Sequence, residues 1–64
     1  MRDKKRIRKF CDELATLWEN NAPDWRFGQL MYNIFDEMSA SGRDPFFPEE
    51  DEMMEILREF LEKK

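Results

Sequence analysis

The fold of this chain is decided by its first amphipathic stretch, residues 7–18, which read IRKFCDELATLW. Apolar side chains recur in this stretch three and four positions apart, at Ile7, Phe10, Cys11, Leu14, Leu17 and Trp18. A helix brings side chains with this spacing onto one face, so the stretch predicts a helix over about 3–20, with Cys11 buried as an inert thiol. The helix is expected to end before Pro23, because proline has no amide hydrogen and disfavours helical backbone at Ala22.

The same spacing returns in a second stretch. Its apolar stripe consists of Phe27, Leu30, Met31, Ile34, Phe35 and Met38. It predicts a helix over about 25–40, with Asp24 as the N-cap. Gly42 is expected to end this helix with a positive φ angle. Gly28, inside the helix, predicts either a frayed first turn or a close approach by another backbone.

A third apolar stripe consists of Met53, Ile56, Leu57, Phe60 and Leu61. It predicts a helix over about 48–62, with Pro48 at the first helical position and acidic residues in the first turn, where the helix dipole favours them. In the connection before this helix, two prolines bracket Phe46 and Phe47. We expect at least one of these two rings to plug the end of the core.

Composition supports a fold made of helices alone. The chain has no valine and one threonine, whereas residues that lose little side-chain freedom in a helix are abundant. Its 64 residues suffice for one domain, residues 1–64. We therefore expect an all-α, small three-helix bundle in which the first and third helices run in the same direction. This arrangement would place the N-terminal segment beside the acidic start of the third helix.

Charge is unevenly distributed along the chain. The net charge is −4, yet residues 1–9 carry six cations and one acid, so the remainder is strongly acidic. The cations form a basic patch of Arg2, Lys4, Lys5, Arg6, Arg8 and Lys9. Clustered cations attract phosphates. The acidic remainder, and the absence of a known nucleic-acid-binding motif, instead favour a solvated or internally paired helix start.

The residue types disfavour catalysis and metal binding. Without histidine, and with one cysteine, the chain can form neither an intrachain disulfide nor the usual zinc site, and no histidine can activate a hydroxyl. The acids from Asp44 to Glu52 lack the alternating ligands and central glycine of a calcium loop. We expect no enzyme activity, no cofactor and no metal. No apolar run is long enough to cross a membrane and no signal peptide is recognisable, so a cytoplasmic location away from membranes is expected.

The most informative surface is predicted on the second helix. Arg26, Gln29 and Asn33 share a polar face there, and Trp25 and Tyr32 lie off the main apolar stripe. Large aromatic side chains beside an arginine are the residue types that dominate protein-binding hot spots. These five residues are therefore the candidate partner-binding site. The alternative interpretation is that the two aromatic residues cover the ends of the bundle while the polar residues meet water.

Residues 23–33, which read PDWRFGQLMYN, are followed by Asp44-Pro45-Phe46 and a run of acids. In these features the chain resembles a group of small bacterial and phage proteins that share a Pro-Asp-x-Arg-x-x-Gln-Leu-x-x-Asn core. The resemblance covers most of residues 7–61 and implies a compact helical domain in a bacterial or phage cytoplasmic setting. The group has no assigned activity, so the resemblance supplies no site residues.

Three functional hypotheses follow from these features. The first is a non-enzymatic module that binds another protein through the second helix, with homodimerisation through its surplus methionine and aromatic surface as an option. The second is an acidic, phage-type inhibitor that imitates nucleic-acid phosphates on a host enzyme. The third is a small nucleic-acid binder that uses the basic N-terminus.

Overall fold

The computed structural model describes residues 3–63, and the basic-patch residue Arg2 lies outside them. Three helices account for most of this part of the chain: α1 (Lys5–Asn21), α2 (Phe27–Ala40) and α3 (Glu50–Glu62). The described residues contain no strand. The predicted all-α fold is confirmed, and the structure is consistent with a small three-helix bundle. Each predicted helix end lies within two residues of the observed one.

Helices α1 and α3 lie side by side and run in the same direction. Near the start of both helices, Arg6 pairs with Glu50 at 3.3 Å. Farther along both, Glu13 accepts a hydrogen bond from Arg58 Nη2 at 2.7 Å. Because both pairs match early residues with early and later residues with later, the helices are parallel. The predicted contact between the basic N-terminal segment and the acidic start of α3 is confirmed for Arg6.

Helix α2 crosses this pair near its C-terminal end. The ring of Trp25, just before α2, lies 6.2 Å from that of Phe60. The far end of α2 also lies near the end of α3, because Met38 lines a groove of about 350 Å³ together with Phe60 and Lys63. Since both ends of α2 lie close to the last turns of α3, α2 lies across α3 and does not run alongside its whole length.

The apolar core forms where the three helices meet. Its largest fully buried side chains belong to α2 and α3, and α1 contributes one buried residue of its own, near its C-terminal end. The core residues are Leu17, Ala22, Leu30, Ile34, Met38, Met54, Leu57 and Leu61. Most of the fully buried side chains therefore lie where α2 packs against α1 and α3.

The start of α2 differs from the prediction. The N-cap is Arg26, not Asp24, because residues 22–25 form a turn in which the Trp25 amide donates to the Ala22 carbonyl at 3.1 Å. This turn delays the helix to Phe27. The arginine side chain has no hydrogen-bond acceptor with which to cap the helix. Instead, Gln29 Oε1 accepts a hydrogen bond from the Arg26 amide at 2.8 Å and ties the first turn to the preceding residue.

The start of α3 was also predicted too early. Glu49, with extended backbone, is the N-cap, and its carbonyl accepts the amide of Met53 at 2.8 Å. Pro48 therefore lies before the helix, and its expected place at the first helical position is wrong. The prediction of an acidic first turn is confirmed by Glu50, Asp51 and Glu52.

The two glycines of the second helical segment behave differently. Gly42 has a φ angle of 76°, as predicted, and follows α2. The Gly42 amide donates to the Ser39 carbonyl at 3.0 Å, and the Arg43 amide donates to the Met38 carbonyl at 2.7 Å. This is the Schellman arrangement. A Cβ atom added to Gly28 would meet nothing within 4 Å, so the close backbone approach considered for that residue is wrong.

Two predictions of burial are wrong. Cys11 is exposed at the edge of the α1 apolar stripe, whereas the neighbouring Phe10 packs against the core. Phe46 and Phe47 are 83% and 75% exposed, so neither ring plugs the core. The core is closed by α2 and the aromatic contacts at its N-terminal end, including the one between Trp18 and Phe27 at 6.3 Å.

Candidate interaction surfaces

Trp25 is a packing residue in this structure. Its side chain is half-buried, packs against the core and lies beside Phe60. Its carbonyl accepts a hydrogen bond from Trp18 Nε1 at 3.1 Å, which fixes the segment between α1 and α2. Among the five candidate residues, Trp25 is thus the one whose geometry fits the alternative interpretation, that of an aromatic residue covering the end of the bundle.

The polar candidates lie together on α2. Arg26 and Gln29 are exposed, and Asn33 is half-buried. Asn33 Nδ2 donates to the Gln29 carbonyl at 2.8 Å, while Gln29 Oε1 accepts the Arg26 amide. Both bonds are local to the helix, so they hold the amide side chains of Gln29 and Asn33 against the backbone. The guanidinium group of Arg26 is exposed at the start of this side of the helix, and Asp36, seven positions after Gln29, adds an exposed acid to it.

Tyr32 is 71% exposed and gives α2 a large aromatic side chain at the surface. Its neighbour one turn earlier is Gly28, which has no side chain to cover it, and Phe35 beside it is also partly exposed. Phe35 belongs to the apolar stripe predicted for the second helix, yet it is 40% exposed. Its position at the edge of that stripe, on the side of Tyr32, is the signal that could have identified it as a surface residue. We call Arg26, Gln29, Tyr32, Asn33 and Phe35 the α2 face.

A second aromatic surface lies between α2 and α3. The rings of Phe46 and Phe47 contact each other edge to face, with centroids 5.1 Å apart. The amide of Phe46 donates to Asp44 Oδ1 at 2.9 Å, which fixes the turn that leads into the pair. The flanking prolines restrict the backbone further. We call residues 44–48 the aromatic loop. The prediction that at least one of these rings plugs the core does not hold, and both lie at the surface.

A charged groove of about 620 Å³ runs between α1 and α3, from their first turns to Glu13 and Arg58. Phe10 and Met54 form its apolar part. Its acidic residues outnumber its basic ones, and the charged residues are Asp3, Arg6, Lys9, Glu13, Glu49, Glu50, Asp51, Glu55 and Arg58. Within residues 3–63, no three His, Cys, Asp or Glu side chains converge to hold a metal ion. The ion pairs of Arg6 with Glu50 and of Arg58 with Glu13 account for part of this charge.

The basic patch is divided by the fold. Arg6 faces α3 and pairs with Glu50, whereas Lys4, Lys5, Arg8 and Lys9 are exposed. The outer face of α3 has the opposite sign and is mostly acidic, with exposed Arg58 among its acids and Lys63 at its end, where Lys63 contacts Glu59 at 3.3 Å. The exposed acids of this face are Asp51, Glu52, Glu55, Glu59 and Glu62. The molecule therefore presents separate basic and acidic surfaces.

Comparisons with known proteins add no relative to this picture. No protein-family model matches the chain, and neither a curated protein nor a solved structure matches it significantly. Among the described residues, none of the helices combines the length and the apolar composition that a membrane crossing requires.

Proposed function

We propose that this chain is a small, non-enzymatic protein-binding module, of bacterial or phage origin and cytoplasmic, which contacts another protein through the α2 face. The observation that carries the proposal is the exposure of Tyr32 on the same helix as the exposed Arg26. An exposed aromatic ring and an arginine, both displayed by a helix that is anchored in the core, form the arrangement typical of binding hot spots.

Rigidity supports the same assignment. Leu30, Ile34 and Met38 bury one side of α2 almost completely, so the opposite side is presented with little freedom. A surface that is already ordered loses less conformational entropy on binding than a flexible segment does. The two local hydrogen bonds of Gln29 further restrict the polar side chains of the α2 face.

The experiment uses two folded variants of the tagged full chain. Arg26→Ala combined with Tyr32→Ala removes the two exposed side chains without touching the core, whereas replacing Trp25 would disturb packing. Glu62→Ala is the control, because Glu62 is exposed on another helix. We expect the double variant to lose a protein captured from bacterial lysate by the wild type and by Glu62→Ala, at unchanged helicity by circular dichroism.

A photo-crosslinking amino acid at position 32 provides a second measurement, with position 62 as its matched control. It should join the chain to the same captured protein from position 32 alone. If the double variant folds normally and keeps every partner of the wild type, the α2 face is not the binding surface.

The acidic mimic remains a second candidate because of the outer face of α3. Its exposed acids recur about once per turn, and one helical turn rises about 5.4 Å. A row of carboxylates at such intervals suits a basic groove that normally holds phosphates. For this candidate, binding to a nucleic-acid enzyme should weaken steeply with salt and on replacing Glu55, Glu59 and Glu62 by glutamine. Binding that survives these replacements would eliminate it.

A further inference from the structure

We infer that two copies of this chain associate by placing the aromatic loop of each copy against the first turns of α1 of the other. The inference uses surfaces other than the α2 face, so it goes beyond the proposed function and can fail or succeed independently of it. It depends on three properties of the structure: exposed apolar groups, complementary charge and a shared location.

The aromatic loop is an apolar knob whose surround holds exposed acids and one exposed cation, Arg43. Phe46 and Phe47 are the two most exposed of the large apolar side chains, and their edge-to-face contact keeps the rings together. Asp44 begins the loop, and Asp51 and Glu52 follow it in the first turn of α3; all three are exposed. A surface that receives this knob should be apolar at its centre and basic around it.

The first turns of α1 have those properties. Ile7 is 50% exposed, and Cys11, one helical turn later, is exposed as well. On the adjoining side of the helix, Lys4 lies three positions before Ile7, and Arg8 lies three positions before Cys11. Both cations are exposed. We call these four residues the α1 patch. It is an apolar surface with a cationic edge, opposite in charge to the surround of the loop.

The knob and the patch lie at the same end of the molecule. The contact between Arg6 and Glu50 brings the first turns of α1 and α3 together, and the aromatic loop leads directly into α3. Within one copy the loop leaves the patch uncovered, since the apolar residues of both remain exposed. A twofold axis at this end would seat each loop on the patch of the other copy, and such an arrangement closes at two copies.

The expected interface is small. If each of four phenylalanine rings covers roughly 150 Å² and an equal area is covered on the patches, the total is about 1,200 Å², at the small end of specific interfaces. We therefore expect a dimer in rapid, concentration-dependent exchange with the monomer. Its formation should weaken as salt rises, because the charges at its edge are exposed.

Sedimentation equilibrium of the purified full chain tests this expectation over a range of protein concentrations, at about 0.05 M and about 0.5 M salt. The mass should rise from that of the 7.9 kDa chain towards twice that value at low salt. Phe46→Ala combined with Phe47→Ala should remain monomeric throughout. Tyr32→Ala is the matched aromatic control and should dimerise like the wild type. All three proteins should show the same helicity, since the replaced rings are exposed.

Charge reversal identifies which surfaces meet. Lys4→Glu with Arg8→Glu makes both surfaces of one variant acidic, and Asp51→Lys with Glu52→Lys makes both surfaces of the other basic. Each variant alone should dimerise at least about tenfold more weakly at low salt, because like charges face each other. An equimolar mixture should recover a heterodimer, since every contact in it again joins opposite charges.

Three outcomes would overturn the inference. The first is a wild-type chain that stays monomeric at low salt and high concentration. The second is a dimer that survives loss of both phenylalanines or is abolished by Tyr32→Ala, which would place the interface elsewhere. The third is a pair of charge-reversed variants that weaken association alone but fail to combine. None of these results bears on capture of another protein by the α2 face.

Discussion

The two ends of the α1 and α3 pair are built differently, although the same apolar spacing runs through both. At one end, which we call the core end, α2 crosses the pair and the described residues include fully buried side chains such as Leu57 and Leu61. At the other, the charged end, the first turn of α1 meets the start of α3 through the ion pair of Arg6 with Glu50 and a charged groove. The comparison shows that helical spacing predicts which face can be buried, whereas a third element determines where it is buried.

The largest expected effect comes from removing an apolar side chain at the core end. Leu57 is 1% exposed, so Leu57→Ala should lower the free energy of unfolding by about 2–5 kcal/mol through lost burial and a new cavity. Ile7 belongs to an equally regular stripe but is half exposed, and Ile7→Ala should cost less than about 1 kcal/mol. Urea denaturation followed by circular dichroism measures Ile7→Ala, and the helicity lost before urea is added measures Leu57→Ala.

A core this small supplies at most about 3–5 kcal/mol, so Leu57→Ala should leave a chain that is largely unfolded at room temperature. The monomeric form should be used for this comparison, at low concentration and moderate salt, so that self-association does not add to stability. Equal losses for the two substitutions would show that the ends of the pair do not differ in packing.

The difference between the ends explains which features were predictable from sequence. Three helices and their approximate bounds follow from local spacing and from Pro23 and Gly42, which act on their own neighbourhood. The exposure of Ile7 and Cys11 does not, because it depends on how much of the α1 stripe the other helices cover: Phe10, between them in sequence, packs against the core. The turn at 22–25 similarly displaced the start of α2 through a hydrogen bond between Trp25 and Ala22.

The candidate surfaces also separate into features that follow from local spacing and features that depend on contacts between distant residues. The polar side of α2 was predicted from spacing, and the structure does bring Arg26, Gln29 and Asn33 together. For Trp25 the spacing left two interpretations open, and the contact with Phe60, a residue far away in sequence, fits the one in which Trp25 covers the end of the bundle. At least one of Phe46 and Phe47 was expected inside because the segment that holds them is stiff and apolar, whereas both rings lie at the surface.

A smaller effect is expected from replacing the two glycines of α2, the helix that crosses at the core end. Gly42 follows the end of α2, and Gly28 lies in its first turn. Gly42→Ala should lower the free energy of unfolding by about 1 kcal/mol, because its φ angle of 76° is costly for any residue with a Cβ atom. Gly28→Ala should raise stability by about 0.5 kcal/mol, since the added methyl group has open space and the unfolded chain loses freedom.

The same urea titration measures these two variants. The opposite signs are the essential result, because both substitutions add one methyl group to the second helical segment. If Gly42→Ala were neutral, the left-handed end of α2 would not be required for the fold. If Gly28→Ala were destabilising, something would have to approach that residue more closely than the structure shows.

The smallest expected effect belongs to the charged end. Arg6 with Glu50 and Lys63 with Glu59 share a separation of 3.3 Å but differ in exposure, because the first pair lies between helices and the second lies on one helix in solvent. Solvent screens an ion pair in proportion to its exposure. A double-mutant cycle with Arg6→Gln and Glu50→Gln should give a coupling of about 0.5–1 kcal/mol at low salt, against about 0.3 kcal/mol for the other pair.

Raising the salt concentration sharpens this last comparison. Both couplings should shrink, and the interhelical one should keep the larger fraction of its value because its partners are about one-third exposed. Even the full coupling is several times smaller than the loss expected for Leu57→Ala. The ion pair can therefore fix the register of α1 against α3 without supplying much stability. Most of the stability comes from apolar contacts at the core end. Equal couplings for the two pairs would remove the reason for treating the charged end as a structured surface.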